Sequence, residues 1–173
     1  MGNQNLNVQD GLTHMLDKVR NYGKGQIDQF EGRIADGLAD ADDILNVCDG
    51  CLFDVKLING TLIEFKSYSL TTIQKISTSQ GAAFQKQFKQ YLQSATDNNS
   101  FKYVFNLNKI SDVSLIKIEF QKFIGANADE IFRLNPGLFN NAKIKIPNGK
   151  ALKAMADQNK LIDNVFFDFI NLE

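Results

Sequence analysis

The segment FDVKLINGTLIEFKSYS, residues 53–69, alternates apolar and polar residues on both sides of Asn59-Gly60, a pattern that predicts a β-hairpin. A strict two-residue turn at Asn59-Gly60 would put the apolar residues of the two strands on opposite faces, because side chains alternate with a period of two. We therefore predict a three-residue loop, 58–60, with Gly60 in the left-handed position of a G1 bulge. The apolar side chains that then share one face are Val55, Leu57, Ile63 and Phe65.

The same register gathers charged side chains on the opposite face. Asp54 is expected directly opposite Glu64, with Cβ atoms about 4.5–5.5 Å apart, and Lys56, Lys66 and Tyr68 on the same face. Two facing carboxylates destabilise a hairpin unless protons, lysines or a cation neutralise them. Such a pair can hold Mg²⁺ or Mn²⁺ against a phosphodiester, while the lysine stabilises developing charge or orients or deprotonates the attacking water. The alternative is the polar outer face of a half-exposed hairpin.

The amino-acid composition limits which catalytic groups such a site can contain. The chain has 173 residues, 43% of them hydrophobic, and a formal charge of −1, which suits one domain with one core. His14 is the only histidine, and we expect it on the surface. Catalytic triads, paired-histidine nucleases and histidine-rich zinc hydrolases are therefore excluded. Carboxylates, lysine and a bound cation are the groups left for catalysis.

Neither a membrane span nor a signal peptide is evident in the sequence. No apolar run approaches the roughly 18 residues that a spanning helix needs. The first residues, MGNQNLNVQDG, lack a charged region followed by an apolar one. We expect no association with membranes.

Cys48 and Cys51 form a CxxC motif immediately before the hairpin. The pair could be a disulfide or thiol pair, half of a zinc site, or two small buried residues. The sequence contains no second cysteine pair, which argues against a complete zinc site. A thiol redox protein centred on this motif remains open as a functional class.

Apolar residues at helical spacing predict helices on both sides of the hairpin, and hence an α/β fold. The predicted helices before the hairpin cover residues 7–22 and 26–45, and a long core helix over 70–95 follows it. Residues 101–108 are rich in β-formers and predict a strand that returns to the sheet. Further along, we predict a helix capped near Ser111, a turn at Asn135-Pro136-Gly137 and a short helix over 150–158.

Asp54 and the sequence Ile63-Glu64-Phe65-Lys66 resemble the motif of the PD-(D/E)XK nuclease superfamily, whose members have the restriction-endonuclease-like fold. Asp54 matches the first acid, and Phe53 stands where the motif has proline. The resemblance implies a core of helix, three-strand meander, second helix and further strand, in a mixed central sheet flanked by helices. The implied organisation is a single nuclease domain over 1–173, with a helical lead (1–25), a core (26–108) and a C-terminal elaboration (109–173).

The resemblance also implies the residues of the site. Asp54, Glu64 and Lys66 would be catalytic, with Asp54 and Glu64 binding Mg²⁺ or Mn²⁺. An additional acid on the first core helix would be Glu31, as a third metal ligand. A catalytic glutamine on the second helix would be Gln87, which precedes Tyr91 in the sequence. Gln80 and Gln85 are the competing choices.

Within the superfamily, the segment 53–69 with QFKQYL and YVFNLN looks most like C-terminal nuclease toxin domains of bacterial polymorphic and contact-dependent toxins. This likeness implies secretion as part of a larger toxin, action in the target-cell cytoplasm, and a cognate immunity protein as partner. DNA is the expected substrate, and an RNase, for example one that cleaves transfer RNA, is the alternative. A non-catalytic nucleic-acid or protein-binding module is the rival from another functional class.

Charge is distributed unevenly along the chain. Residues 28–49 hold seven acidic residues against Arg33 alone, whereas 70–109 hold one acidic residue, Asp97. We expect nucleic acid to approach the basic side. The basic residues of the segment 70–109 are Lys75, Lys86, Lys89, Lys102 and Lys109.

Overall fold

The computed structural model describes most of the chain as one mixed open sheet with helices on both faces, which confirms the predicted α/β class. The described residues are 13–22, 25–33, 52–97, 99–107, 110, 112–166 and 170–172.

Within these ranges the sheet has five strands, which lie in chain order. They are β1 (Ile27–Arg33), β2 (Leu52–Leu57), β3 (Leu62–Lys66), β4 (Phe101–Phe105) and β5 (Ile170–Leu172). Strands β1 to β3 form an antiparallel meander, and β4 and β5 continue the sheet in parallel to β3. The parallel neighbours β3 and β4 are joined by a helical crossover, as parallel strands require.

The helices form two layers of unequal size. Helix α1, residues 13–19, packs on one face of the sheet, and the later helices cover the other. Within the described ranges, no helix is long and apolar enough to cross a membrane. The later helices are α2 (Leu70–Ile73), α3 (Ala82–Ser94), α4 (Val113–Ala126), α5 (Ala128–Leu134), α6 (Pro136–Asn140), α7 (Gly149–Asp157) and α8 (Leu161–Asn164), with a 3₁₀ turn at Ser79–Gly81.

The predicted hairpin loop is confirmed. Val55 pairs with Ile63, which leaves residues 58–60 as the loop. Gly60 has a φ of 88°, and its amide donates a hydrogen bond to the carbonyl of Leu57 at 2.8 Å. The predicted apolar face is also confirmed, since one buried cluster contains Val55, Ile63, Phe65 and Val104, with Leu57 packed against it.

The helix predicted over residues 26–45 is wrong in its first part, because Ile27–Arg33 is strand β1. Phe30 pairs with Val55 and is 52% exposed, although helical spacing would have buried it. Backbone hydrogen bonds to the edge of β2 stabilise the strand more than the local sequence stabilises a helix. The helix propensity of this segment is weak, partly because Gly32 is a poor helix former. Residues 34–45 lie outside the described ranges.

The single helix predicted over residues 70–95 is divided into α2, the 3₁₀ turn and α3. The hydroxyls of Ser69 and Thr78 each accept a hydrogen bond from a backbone amide just ahead in the chain. Such hydroxyls favour the start of a helical turn over its continuation. The segment 70–95 is therefore divided into separate helical turns by these caps, although its apolar residues keep helical spacing throughout.

Asn135 begins a helix where the sequence predicts a turn. Its side-chain oxygen accepts from the amide of Leu138, and Pro136 occupies the first turn of α6. Its Nδ2 also donates to the carbonyls of Leu92 and Ala95 at 3.0 and 2.7 Å, which satisfies the end of α3. The remaining predicted elements, β4, α4 and α7, are confirmed, although Asp112 rather than Ser111 caps α4.

His14 is buried, contrary to the surface position predicted for it. Its ring contacts the ring of Phe65 edge to face, with centroids 5.8 Å apart. The reason is that α1 packs directly on the sheet, with Met15 and Val19 against the same cluster. His14 lies on the face opposite to that of Glu64, because successive strand residues alternate between faces.

Aromatic side chains dominate the larger core. The ring of Phe88 on α3 contacts that of Phe120 on α4 at a centroid distance of 4.8 Å and that of Phe101 on β4 at 5.9 Å. Such edge-to-face contacts stabilise the packing beyond the burial of apolar area. Helix α3 is thereby held between the sheet and α4. The core continues through the segment predicted as a C-terminal elaboration, as far as Phe166.

We expect Gly81→Ala to lower the free energy of unfolding by about 1–3 kcal/mol, a cost typical of overpacking. A Cβ at Gly81 would clash with the carbonyl oxygen of Lys75 and would lie 2.7 Å from that of Ile76. Gly25→Ala is the matched control, since a Cβ there meets no atom within 4 Å. Urea unfolding measures both variants, and equal stabilities would contradict the close approach at Gly81.

Candidate active site

Asp54 lies where β2 and β3 cease to pair regularly. The described pairing ends at Val55 and Ile63, and beyond it the amide of Phe65 donates to Oδ2 of Asp54 at 2.7 Å. The carboxylate takes the place of the backbone carbonyl that a regular ladder would offer. The structure therefore places the Asp54 carboxylate at Phe65, the residue next to Glu64. This side-chain hydrogen bond stands in place of the regular cross-strand pair between Asp54 and Glu64 that we predict.

Glu64 is buried, with only 6% of the residue exposed. Lys66 Nζ donates to its Oε1 at 2.5 Å, and the hydroxyl of Tyr91 on α3 donates to its Oε2 at 2.9 Å. Each carboxylate oxygen therefore has a donor, as a buried charge requires. Tyr91 of α3 covers this face of the hairpin at Glu64, whereas Asp54 and Lys56 on the same face are partly exposed.

Three tyrosines enclose the ion pair. Lys66 Nζ lies 5.7 Å from the ring centre of Tyr68 and 5.8 Å from that of Tyr103, within the range of cation–π attraction. Tyr103 is the β4 partner of Glu64 in the parallel register, and Tyr91 comes from α3. We call Tyr68, Tyr91 and Tyr103 the tyrosine cage. Their rings exclude water from the pair and strengthen its electrostatic interaction.

The phenols of the tyrosine cage are held in their neutral form. Burial is the main cause that raises the pKa of Tyr68, Tyr91 and Tyr103. The negative charge of Glu64 raises each pKa further, and for Tyr91 the hydrogen bond to that carboxylate adds to the effect. The ammonium of Lys66 opposes the shift in the pKa of Tyr68. Neutral phenols can act as donors to Glu64 and as acceptors for Lys66.

Gln87 lies on α3 one turn before Tyr91 and is buried. Residues four apart share a helix face, so Gln87 belongs to the face whose Tyr91 contacts Glu64. The competing glutamines are placed differently: Gln85 Nε2 donates to two backbone carbonyls before α3, at 2.8 and 2.9 Å, and Gln80 is exposed. Gln87 therefore remains the candidate, and its catalytic role stays a prediction.

Glu31 lies on a strand, not on the helix predicted for it. The β1–β2 register pairs Phe30 with Val55, which puts the backbone of Glu31 opposite that of Asp54. The side chain of Glu31 is outside the described part of the structure, so its role as a metal ligand stays a prediction. The CxxC motif, residues 48–51, also lies outside it.

A divalent cation at Asp54 and Glu64 would have few protein ligands. Among the described side chains, no three His, Cys, Asp or Glu residues come together. Mg²⁺ needs only one or two carboxylates, because it keeps several water ligands and takes oxygens from a substrate phosphate. Asp54 and Glu64 are the two carboxylates that such a cation could use.

Tyr91 and Tyr103 are residues of the site that the sequence does not reveal. Apolar spacing assigns both to the core, and both are indeed buried. The available signal is that each carries a hydroxyl at a position where Phe would serve packing equally well, as Phe88, Phe101 and Phe105 do nearby. A buried phenol usually has a polar partner, which indicates a polar group in the core.

We expect Lys66→Met to lower the free energy of unfolding by about 3–5 kcal/mol, because it leaves the charge of Glu64 buried without its counter-ion. The double variant Glu64→Gln with Lys66→Met should recover most of that loss. Lys117→Met is the matched control, since the Lys117–Asp163 pair is exposed and should contribute less than about 1 kcal/mol. Additive losses in the double variant, measured by urea unfolding, would contradict a coupled buried pair.

The raised phenol pKa values predict a loss of stability in alkaline solution. Tyrosines of the unfolded chain ionise near pH 10, whereas those of the tyrosine cage keep their protons to higher pH. The stabilisation is complete below about pH 10 and is lost above it, because unfolding then releases protons. In Tyr103→Phe, the fall of stability with pH should be shallower by up to about 1.4 kcal/mol per pH unit. Urea unfolding between about pH 8 and 11 measures this slope, and equal slopes would contradict it.

Comparisons with known proteins do not assign this site to a family. No family model matches the chain, and no curated protein and no solved structure matches it. The function therefore has to be inferred from Asp54, the Glu64–Lys66 pair and the tyrosine cage.

Proposed function

We propose that the chain is a metal-dependent nuclease of the PD-(D/E)XK superfamily, with Asp54, Glu64 and Lys66 as its catalytic residues. The observation that carries this proposal is the buried Glu64–Lys66 pair beside Asp54. A buried ion pair can often be replaced by apolar residues without loss of stability. Its presence at the motif positions of a nuclease is therefore better explained by chemistry than by folding.

The order of the elements supports this proposal. Helix α1, the antiparallel meander β1 to β3, the helices of the crossover and β4 parallel to β3 follow the order implied for the superfamily core. In this arrangement α1 is the first helix, in place of residues 26–45. The two acids and the lysine then lie on the second and third strands of the meander, as the motif requires.

The residues of the site have complementary tasks in phosphodiester hydrolysis. Asp54 and Glu64 would hold Mg²⁺ or Mn²⁺, which supplies charge neutralisation at the phosphate and a water of lowered pKa. Lys66 provides an ammonium that can stabilise charge developing on a phosphate oxygen. Tyr91 fixes the orientation of the Glu64 carboxylate through its hydrogen bond. Gln87, on the same face of α3, is proposed to help position the attacking water.

The segment that follows β3 has the composition expected of a contact with a polyanion. The stretch from Ser67 to Thr96 contains no acidic residue, and Lys75 and Lys86 within it are exposed. Lys89 contributes less, because it pairs with Glu130 at 2.8 Å. Lysines and hydroxyl groups are the usual contacts of phosphate backbones. We propose DNA as the substrate, with RNA as the alternative from the same chemistry.

The resemblance to toxin domains extends the proposal to a biological setting. We propose that the chain is the nuclease part of a larger secreted toxin, which acts in the target-cell cytoplasm and is neutralised by an immunity protein. The rival, a non-catalytic binding module, would bind nucleic acid without turnover. The buried charges favour the nuclease, because nucleic-acid binding alone uses exposed cations.

The decisive experiment is cleavage of supercoiled plasmid and of total RNA with Mg²⁺ or with EDTA. We expect cleavage of the plasmid with Mg²⁺ alone, and at least a hundredfold loss in Asp54→Asn and Glu64→Gln, because a carboxylate that holds a catalytic cation is lost. Asp163→Asn serves as the control, since it removes an exposed carboxylate elsewhere. Cleavage that resists EDTA, or that survives both site variants, would disprove the proposal.

A further inference from the structure

Tyr103 carries a hydroxyl that makes no hydrogen bond to any described residue. The residue is fully buried, its ring lies 5.7 Å from that of Tyr91, and Lys66 Nζ lies 5.8 Å from its centre. A buried hydroxyl without a partner lowers stability, so each instance needs an explanation. Packing does not supply one, because its strand neighbours on the same face are Phe101 and Phe105.

Lys66 has few alternatives to its present position. Its side chain is only 11% exposed, and its ammonium is engaged with Glu64 between the rings of Tyr68 and Tyr103. Full hydration would require the side chain to leave the tyrosine cage. Any second arrangement inside the cage needs an acceptor other than the carboxylate, and phenol oxygens are acceptors.

A divalent cation on Asp54 and Glu64 would create the need for such an arrangement. Glu64 would then be neutralised by the cation in place of Lys66, and like charges at short distance repel strongly in a buried site. Lys66 would then retain its charge but lose the carboxylate, and Tyr68 alone would remain as its hydrogen-bond partner. The hydroxyl of Tyr103, which has no partner among the described residues, lies on the adjoining strand, at the position paired with Glu64.

We propose that the hydroxyl of Tyr103 accepts a hydrogen bond from Lys66 when a divalent cation occupies Asp54 and Glu64. This inference rests on the proposed function and adds a positioning residue to it. Lys66 has two arrangements, one on Glu64 without the cation and one on Tyr103 with it. Tyr103 thus keeps the ammonium inside the site, where it can act on the substrate, and prevents its loss to solvent.

The test is calorimetric titration of wild type and Tyr103→Phe with Mn²⁺, together with thermal unfolding of both in EDTA. We expect Tyr103→Phe to bind Mn²⁺ at least about tenfold more weakly, since a hydrogen bond to a charged group is lost only in the bound state. In EDTA its unfolding temperature should equal or exceed that of wild type. Tyr22→Phe is the matched control, because Tyr22 packs on the opposite face of the sheet.

The outcomes separate the inference from the function on which it rests. Equal Mn²⁺ affinity in Tyr103→Phe and wild type overturns the inference and leaves the nuclease proposal standing. Weaker binding together with a lower unfolding temperature in EDTA also overturns it, because lost packing then explains both. If wild type binds no Mn²⁺, or Asp54→Asn binds it equally well, the metal site itself is refuted and the inference falls with it.

Discussion

Strand β3 is paired on both sides, antiparallel to β2 and parallel to β4, and these two registers position the whole candidate site. The first register brings Asp54 to the backbone of β3, where its carboxylate binds the amide of Phe65. The second sets Glu64 beside Tyr103. Neither register can shift by one residue, because every buried side chain of β3 would then move to the other face.

The two faces of β3 have different surroundings. Ile63 and Phe65 face a small apolar cluster under α1, whereas Glu64 faces the large aromatic core under α3. An ion pair within an aromatic core is costly to desolvate, and its cost is offset only when hydrogen bonds satisfy both partners. Tyr91 provides such a bond, so the candidate chemistry depends on how firmly α3 is held against the sheet.

The hairpin could be predicted from the sequence because its determinants are local. Period-two alternation and Gly60 together define the loop and the faces. Strand β1 could not be predicted, since its hydrogen-bond partner lies beyond a long intervening segment and its own apolar spacing resembles that of a helix. The tyrosine cage could not be predicted for a related reason: Tyr91 is 27 residues from Glu64, and only the packing of α3 brings them together.

Asn135 connects the end of α3 to the segment that follows β4. Its amide satisfies two carbonyls of the last turn of α3, while its oxygen begins α6. Phe120 and Phe123 of α4 pack against Phe88 in the middle of α3. The residues after 108 are therefore no removable appendage. A chain shortened to the motif-bearing half would retain Asp54, Glu64 and Lys66 in its sequence, yet would lack the support that keeps Tyr91 on Glu64.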